Sequence, residues 1–300
     1  MTYTETKCKA NCAFCPQARE SSGRADALSR VTWPAFTTGN VIDRLFFAVK
    51  NGAIKRVCIQ ALNYPEVIAH LTVLAKEIRQ RTSVKISVSC QPLEKENIVR
   101  IMESGVERIG IPLDATTKNL FDRVKGRSAG GPYVWENQFR LLKEAVGIFG
   151  EGNVSTHLIA GLGETERDMV RVIQECVDLC IVPGLFAFTP ITGTDLESCQ
   201  PPQLEAYRRT QLARQLISTK RITFNDLSFD GNGCIESFGA ERKELLKAIR
   251  EGEAFRTSGC PDCNRPYYNE KPSGPIYNYP RQLTEKEIAS IEEQLRSFFL

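Results

Sequence analysis

Residues 84–114 read VKISVSCQPLEKENIVRIMESGVERIGIPLD, and this stretch decides the fold. Residues 84–90 are a strand in which Val84, Ile86, Val88 and Cys90 share one parity. Residues 94–104 are a helix stopped by Gly105, and residues 107–114 are a second strand. The same alternation extends in both directions. Upstream are a helix over 40–52 that ends at Gly52, a strand over 54–62 and a helix over 65–81. Downstream are a helix over 134–147, a strand over 153–163 and a helix over 164–181, then a strand over 184–191, a helix over 202–219 and a strand near 221–225.

Five to seven βα units in succession imply a parallel sheet with helices outside. No glycine-rich dinucleotide fingerprint marks the first turn, so the expected α/β fold is a TIM-barrel-like parallel barrel, full or partial. Residues 1–250 are expected to form this core. Residues 251–300 form a C-terminal extension with a Cys-x2-Cys pair and a last helix, announced by Thr284 and Glu287 at capping-box spacing. Side chains of barrel strands alternate between helix layer and interior. Val57 and Ile59 belong outside and Arg56, Cys58 and Gln60 inside. Ile109, Ile111 and Leu113 face out and Asp114 in, and Ser155 and His157 oppose Val154, Thr156 and Leu158. Cys90 shares the apolar parity of its strand, which points it away from the interior.

The chain has 300 residues, 42% of them hydrophobic, with 39 basic against 36 acidic side chains. Near-balanced charge argues against nucleic-acid or anionic-membrane partners. No apolar run is long enough to span a bilayer and no charged-then-apolar leader begins at Met1, so a cytoplasmic location is expected. Eleven cysteines against two histidines point to thiolate metal chemistry rather than a disulfide framework or a histidine site.

CKANCAFCPQAR (8–19) sets Cys8, Cys12 and Cys15 in a Cys-x3-Cys-x2-Cys array with Phe14 before the last cysteine. Thiolates at such spacing let one loop hold a [4Fe–4S] cluster, and three ligands leave one iron open to a small molecule. A zinc site lacking its fourth ligand, or unrelated thiols, is the plainer alternative.

This array resembles the signature of the radical S-adenosylmethionine (SAM) superfamily. CPQAR, RVCIQA, SCQPL, LDAT, LIAGLGET and PITGT, in that order, resemble biotin synthase and lipoyl synthase. The resemblance implies that the open iron of the Cys8, Cys12, Cys15 cluster chelates SAM and that a 5′-deoxyadenosyl radical takes hydrogen from an unactivated carbon. It further implies SAM contacts from Phe14, Gln60, Asp114, Gly161, Gly163, Glu164 and Ile191. Gln60 enters only as a candidate, because IQAL replaces the family's second-strand GGE element.

Biotin synthase holds a second cluster through cysteines on its strands. Cys58 and Cys90 match its first two positions, and Ser155 stands at the third. Cys260 and Cys263, in the tail segment SGCPDCNRPYYNEKPSG (258–274), are a half-site for zinc or iron–sulfur. An auxiliary [4Fe–4S] cluster would use Cys260 and Cys263 with Cys58, then Cys234 or Cys90; a structural zinc knuckle is the alternative. Cys176 and Cys180, four apart on a helix, read as packing. His157 and Arg127 are candidate substrate contacts. Tyr267, Tyr268, Tyr277 and Tyr279 anchor the tail or line an acyl channel.

The tail motif resembles the archaeal-type two-component lipoyl synthases. This implies sulfur insertion into an octanoyl chain on a lipoyl-carrier protein or peptide, a companion radical SAM subunit and a ferredoxin- or flavodoxin-type reductant. Three rivals stay open: a biotin-synthase-like enzyme acting on a small molecule by sulfur insertion, methylation or rearrangement; RNA methylthiolation; and a cluster carrier.

Overall fold

Alternating apolar periods of two and of about four residues become five parallel strands in strictly sequential order. The computed structural model describes residues 1–2, 7–24, 26–28, 31–32, 34–261, 263, 270 and 273–298. A short antiparallel pair, β1 (Ala27–Leu28) and β2 (Val31–Thr32), precedes α1 (Thr38–Lys50). Then follow β3 (Arg56–Gln60), α2 (Val67–Arg81), β4 (Lys85–Ser89), α3 (Lys95–Glu103), β5 (Arg108–Gly110), α4 (Lys118–Val124), α5 (Trp135–Phe149), β6 (Val154–Ala160), α6 (Glu166–Asp178), β7 (Val182–Ala187) and α7 (Leu204–Ser218). An antiparallel hairpin, β8 (Ser228–Phe229) and β9 (Ile235–Ser237), leads to α8 (Arg242–Glu251) and α9 (Glu285–Gln294).

The sheet order is β3-β4-β5-β6-β7, every pair parallel. Right-handed crossovers between sequential parallel strands put the connecting helices α2, α3, α5 and α6 on one face, where their buried residues share one core, the arrangement of a barrel wall rather than of a doubly wound sheet. That face is the core: Ile59, Val88, Ile109 and Val154 stand side by side across four strands, each at most 5% exposed. Among the described residues the sheet is open, with β3 and β7 as its edges. Unpaired edge groups invite further pairing, and chain segments occupy both edges here. Thr2 N–H donates to Gln60 O (2.8 Å) on β3, and Leu185 N–H of β7 donates to Ser258 Oγ (2.8 Å).

The helices start where local chemistry satisfies their first N–H groups. Thr165 and Asp168 form a capping box at α6, and the expected Thr284–Glu287 box is present at α9. Cys176 is fully buried with Met169, Val170, Val172 and Ile173 on α6, so it packs as expected.

Several sequence expectations are corrected. The strand foreseen over 107–114 breaks after Gly110, because Pro112 has no N–H for the ladder; Asp114 rejoins by a single bridge to Leu158. Residues 221–225 form no strand; a Thr223–Asp226 capping box turns the chain into a short 3-10 helix, Phe224–Asp226. The short α4, α8 and the β8–β9 hairpin were not foreseen. The tail docks on α7: the buried Arg208 guanidinium donates to Tyr277 O (2.6 Å) and Ile276 O (2.5 Å). Tyr277 and Tyr279 are buried in the core, in keeping with an anchoring role, while Tyr267 and Tyr268 lie outside the described residues.

Candidate active site on the concave sheet face

The three-cysteine loop is held against the carboxyl ends of the strands by its own backbone. Cys8 N–H donates to Gln17 O (3.1 Å), Cys15 N–H to Cys12 O (3.0 Å) and Arg19 N–H to Ala10 O (2.9 Å). Ala13 N–H reaches Val124 O (2.8 Å) at the end of α4, and Lys9 N–H reaches Asn63 O (2.7 Å) just past β3. The three thiols share one electrostatic neighbourhood. Burial pushes Cys12 and Cys15 up, Cys15 to about 11; both also feel Cys8 and Asp114, and Lys125 pulls Cys12 down. Asn63 N–H already donates to Cys8 Sγ (3.2 Å), the type of contact that tunes cluster sulfurs. An all-thiol set next to a buried ammonium fits the ligand chemistry of an iron–sulfur cluster and is foreign to hard cations. Among the described residues, no group of His, Cys, Asp or Glu gathers closely enough to cage a single metal ion. Phe14 packs half-buried in the small core under this loop, with Ala13, Leu120 and Phe121.

Beneath the loop lies a buried ion pair. Lys125 Nζ donates to Asp114 Oδ2 (2.6 Å) and Pro112 O (2.5 Å), and the Lys125 side chain is only 1% exposed. The Tyr133 and Phe121 rings stand 5.3 Å and 5.9 Å from the ammonium. Asp114 holds a left-handed backbone (φ 66°), a conformation that Asp tolerates better than most residues. Its N–H and C=O bond His157 O (2.7 Å) and Ile159 N–H (2.8 Å). Asp114 is buried beneath the loop, but not by the strand parity expected of 107–114: the ladder ends at Gly110 and Asp114 bridges Leu158 with a left-handed backbone. Lys125 and Tyr133 were missed, because a lysine in KGR reads as a surface charge.

The 161–165 turn does more for itself than sequence suggested. The Glu164 carboxylate folds back onto Gly161 N–H (2.7 Å) and Leu162 N–H (3.0 Å), while burial pushes its pKa up. Gly161 (φ 102°) lies where a Cβ would sit 2.8 Å from Pro202 Cδ, so its close approach is to Pro202. Gly163 (φ 114°) lies over Arg123. Ile191 belongs to the loop 190–194, which is clamped to the cysteine loop through Ser22 N–H to Gly193 O (2.9 Å).

Parallel pairing sorts the concave face into rows, since laterally paired residues project to the same side. One row is Cys58–Ser87–Arg108; the next toward the carboxyl ends is Gln60–Ser89–Gly110–Ser155. His157 pairs with Gly184, and its ring meets Phe186 edge-on at 4.9 Å. From Ser89 to Ser155 the second row carries only small side chains, on either side of Gly110. The two rows are two residues apart, about 7 Å along the strands.

The tail reaches this face. Ser258 is bonded to the β7 edge, Cys263 N–H donates to Cys260 O (3.0 Å), and Cys260 Sγ lies 3.2 Å from Ser87 Oγ. Cys260 therefore sits over the strand next to Cys58, itself exposed on this face. Cys90 does not join them. It is 2% exposed within the helix-side core, and burial pushes its thiol up to about 12. Cys234 lies on the β8–β9 turn beside Glu166 and Arg209, in the helix layer. Arg127 is exposed on a 3-10 turn outside the concave face.

A parallel β/α barrel wall with a three-thiol loop at the carboxyl ends of its strands defines a cluster-binding enzyme of the barrel class. The chain belongs to the radical SAM superfamily, whose family model matches residues 4–176. It is 25% identical over 199 residues to biotin synthase of Aquifex aeolicus, covering 64% of this chain and 55% of that protein. It is 27% identical over 200 residues to an uncharacterized protein of Methanocaldococcus jannaschii, covering 63% and 50%. The chain thus spans about half the length of the curated relatives it matches. In fold it is similar to methylornithine synthase (TM-score 0.55, 13% identity, 72% of this chain and 61% of that one). It is also similar to the hydrogenase maturase HydG of Carboxydothermus hydrogenoformans (TM-score 0.54, 14% identity, 71% and 49%). Family membership carries a [4Fe–4S] cluster and SAM as cofactors. No helix among the described residues is long and apolar enough to cross a membrane.

Proposed function

We propose that this radical SAM enzyme is a sulfurtransferase of the lipoyl-synthase kind, inserting sulfur into an unactivated C–H bond of a protein-bound octanoyl chain. The cluster with SAM at its open iron supplies, when bound, an electron to the sulfonium and a carbon radical able to take hydrogen from such a bond. Cys8, Cys12 and Cys15 hold that cluster. The Lys125–Asp114 pair fixes a carboxylate at the strand end for a sugar hydroxyl of SAM. The small Ser89–Gly110–Ser155 row gives the acyl chain space, and His157 with Phe186 gives it an aromatic wall. Cys260 and Cys58, with Cys263, hold the sulfur donor, an auxiliary iron–sulfur cluster. In this reading residues 1–250 are the catalytic core and residues 251–300 deliver the donor site. A companion subunit makes the other insertion, and a ferredoxin- or flavodoxin-type protein supplies electrons.

The observation that supports this reading is the seat of Cys260 on the concave face, one strand from Cys58 and below the three-cysteine loop. The test is anaerobic incubation of the reconstituted protein with SAM, dithionite and an octanoyl-lysyl peptide. The reading expects 5′-deoxyadenosine together with a peptide that has gained one sulfur, and loss of the second product alone in Cys260→Ala. Product formation unaffected by Cys260→Ala contradicts it. 5′-Deoxyadenosine without peptide thiolation points to a small-molecule substrate, and failure to cleave SAM points to a cluster carrier.

A further inference from the structure

Ser87 has two neighbours that give its hydroxyl a direction. Arg56 Nη1, a group that only donates, lies 3.0 Å from Ser87 Oγ, so Ser87 accepts there. Its single hydrogen is free for the other contact, Cys260 Sγ at 3.2 Å, where a protonated thiol and the hydroxyl can each donate. A sulfur bound to metal has no hydrogen of its own, so in that state the contact runs from Ser87 O–H to sulfur. Arg56 is fixed in turn. Its side chain is 8% exposed and pairs with Glu107 (3.2 Å), and its buried Nε has no acceptor among the described residues. A buried guanidinium with an unanswered N–H beside an exposed cysteine row is a costly feature for a structural element alone.

We propose that Arg56 and Ser87 are positioning residues of the second sulfur site. The chain Arg56 N–H to Ser87 Oγ, then Ser87 O–H to Cys260 Sγ, orients Cys260 as a metal-bound thiolate shared with Cys58. The proposal rests on the reading of Cys260 as a sulfur ligand. The Arg56 charge polarises the serine hydroxyl toward the sulfur, which strengthens the donor. Cys58 is the register partner of Ser87 on the neighbouring strand and projects to the same face. Outer hydrogen bonds of this kind are worth about 10–100-fold in metal affinity.

The test removes the first site and titrates the second. In the full chain carrying Cys8→Ala, Cys12→Ala and Cys15→Ala, Co²⁺ is added anaerobically and thiolate-to-cobalt absorption is followed. The proposal expects a band that is lost with Cys260→Ala. It expects affinity about 10–100-fold weaker in Ser87→Ala, weaker in Arg56→Gln, and restored in Ser87→Thr. Circular dichroism melts of each variant show that the fold is kept. As a second readout, the reconstituted auxiliary cluster of Ser87→Ala in the otherwise unaltered chain shifts to a lower reduction potential. A Cys260-dependent band of unchanged affinity in Ser87→Ala overturns the relay and leaves the sulfur site standing. A band that never depends on Cys260 overturns the sulfur site itself.

Discussion

Replacing Lys125 by Met removes the cation from under the cysteine loop while keeping an unbranched stem against Phe121 and Tyr133. Lys125 is 1% exposed and Asp114 11%, with 2.6 Å between their charged atoms, so solvent screens this pair little. Breaking such a pair from one side leaves an uncompensated buried charge and costs about 3–5 kcal/mol. The Pro112 carbonyl, served by the same ammonium at 2.5 Å, also loses that donor. At about 2–4 °C per kcal/mol for a chain of this class, the melting point of Lys125→Met falls by roughly 6–20 °C. Asp114→Asn alone is destabilising as well, but Asn keeps the left-handed φ of 66° accessible, so only the charge is tested. The double variant Lys125→Met/Asp114→Asn removes both charges, and a coupling energy of about 2 kcal/mol or more is expected from the cycle. The assay is urea unfolding by circular dichroism on all four proteins. Additive single costs, or a Lys125→Met cost below about 1 kcal/mol, would refute the claim that this pair holds the strand end.

Further outcomes follow from the geometry. Gly161→Ala forces a Cβ within 2.8 Å of Pro202 Cδ at φ 102°, and it should cost about 2–4 kcal/mol in urea unfolding. Gly147→Ala, an exposed site in α5 with nothing within 4 Å, should instead gain about 0.5–1 kcal/mol. Glu287 is held down to about 2 by Arg281 and the Thr284 cap. Its stabilisation is therefore present above the ordinary carboxylate range and lost as pH falls from about 4.5 toward 2; Glu287→Gln should cost about 1 kcal/mol at pH 7, solvent screening included, and progressively less in acid. Cys90→Ala should lose about 1–2 kcal/mol of stability with iron content unchanged, whereas Cys58→Ala should keep its stability and lose auxiliary-site iron, read by anaerobic iron assay.

The parts legible in the sequence were those written in periodicity and parity. The alternation around residues 84–114 gave the parallel sheet, and strand parity set Cys58, Ser155 and His157 on one face and Cys90 in the core. Features carried by single residues were not legible. Seven residues of α4 are too few for a period, and the apolar run before residue 225 reads as a strand until the Thr223–Asp226 box turns it. Nothing in KGR distinguishes Lys125 from a surface lysine, since its burial follows from the ion pair with Asp114, which the isolated bridge to Leu158 holds beyond the end of β5. The Glu164 carboxylate, expected at a cofactor, is spent on its own turn. The approach of Cys260 to Ser87 depends on how the tail is pinned along β7 and α7, a long-range outcome that no local pattern encodes.

The central claim is that two sulfur sites face each other across the small-residue row of one sheet. Iron and sulfide counting with Mössbauer spectra on anaerobically reconstituted protein tests it directly. Two cubanes give about eight irons per chain, falling to about four in Cys260→Ala/Cys263→Ala with the SAM-responsive species retained. Equal iron in both proteins, or zinc in place of iron at Cys8, Cys12 and Cys15, contradicts it.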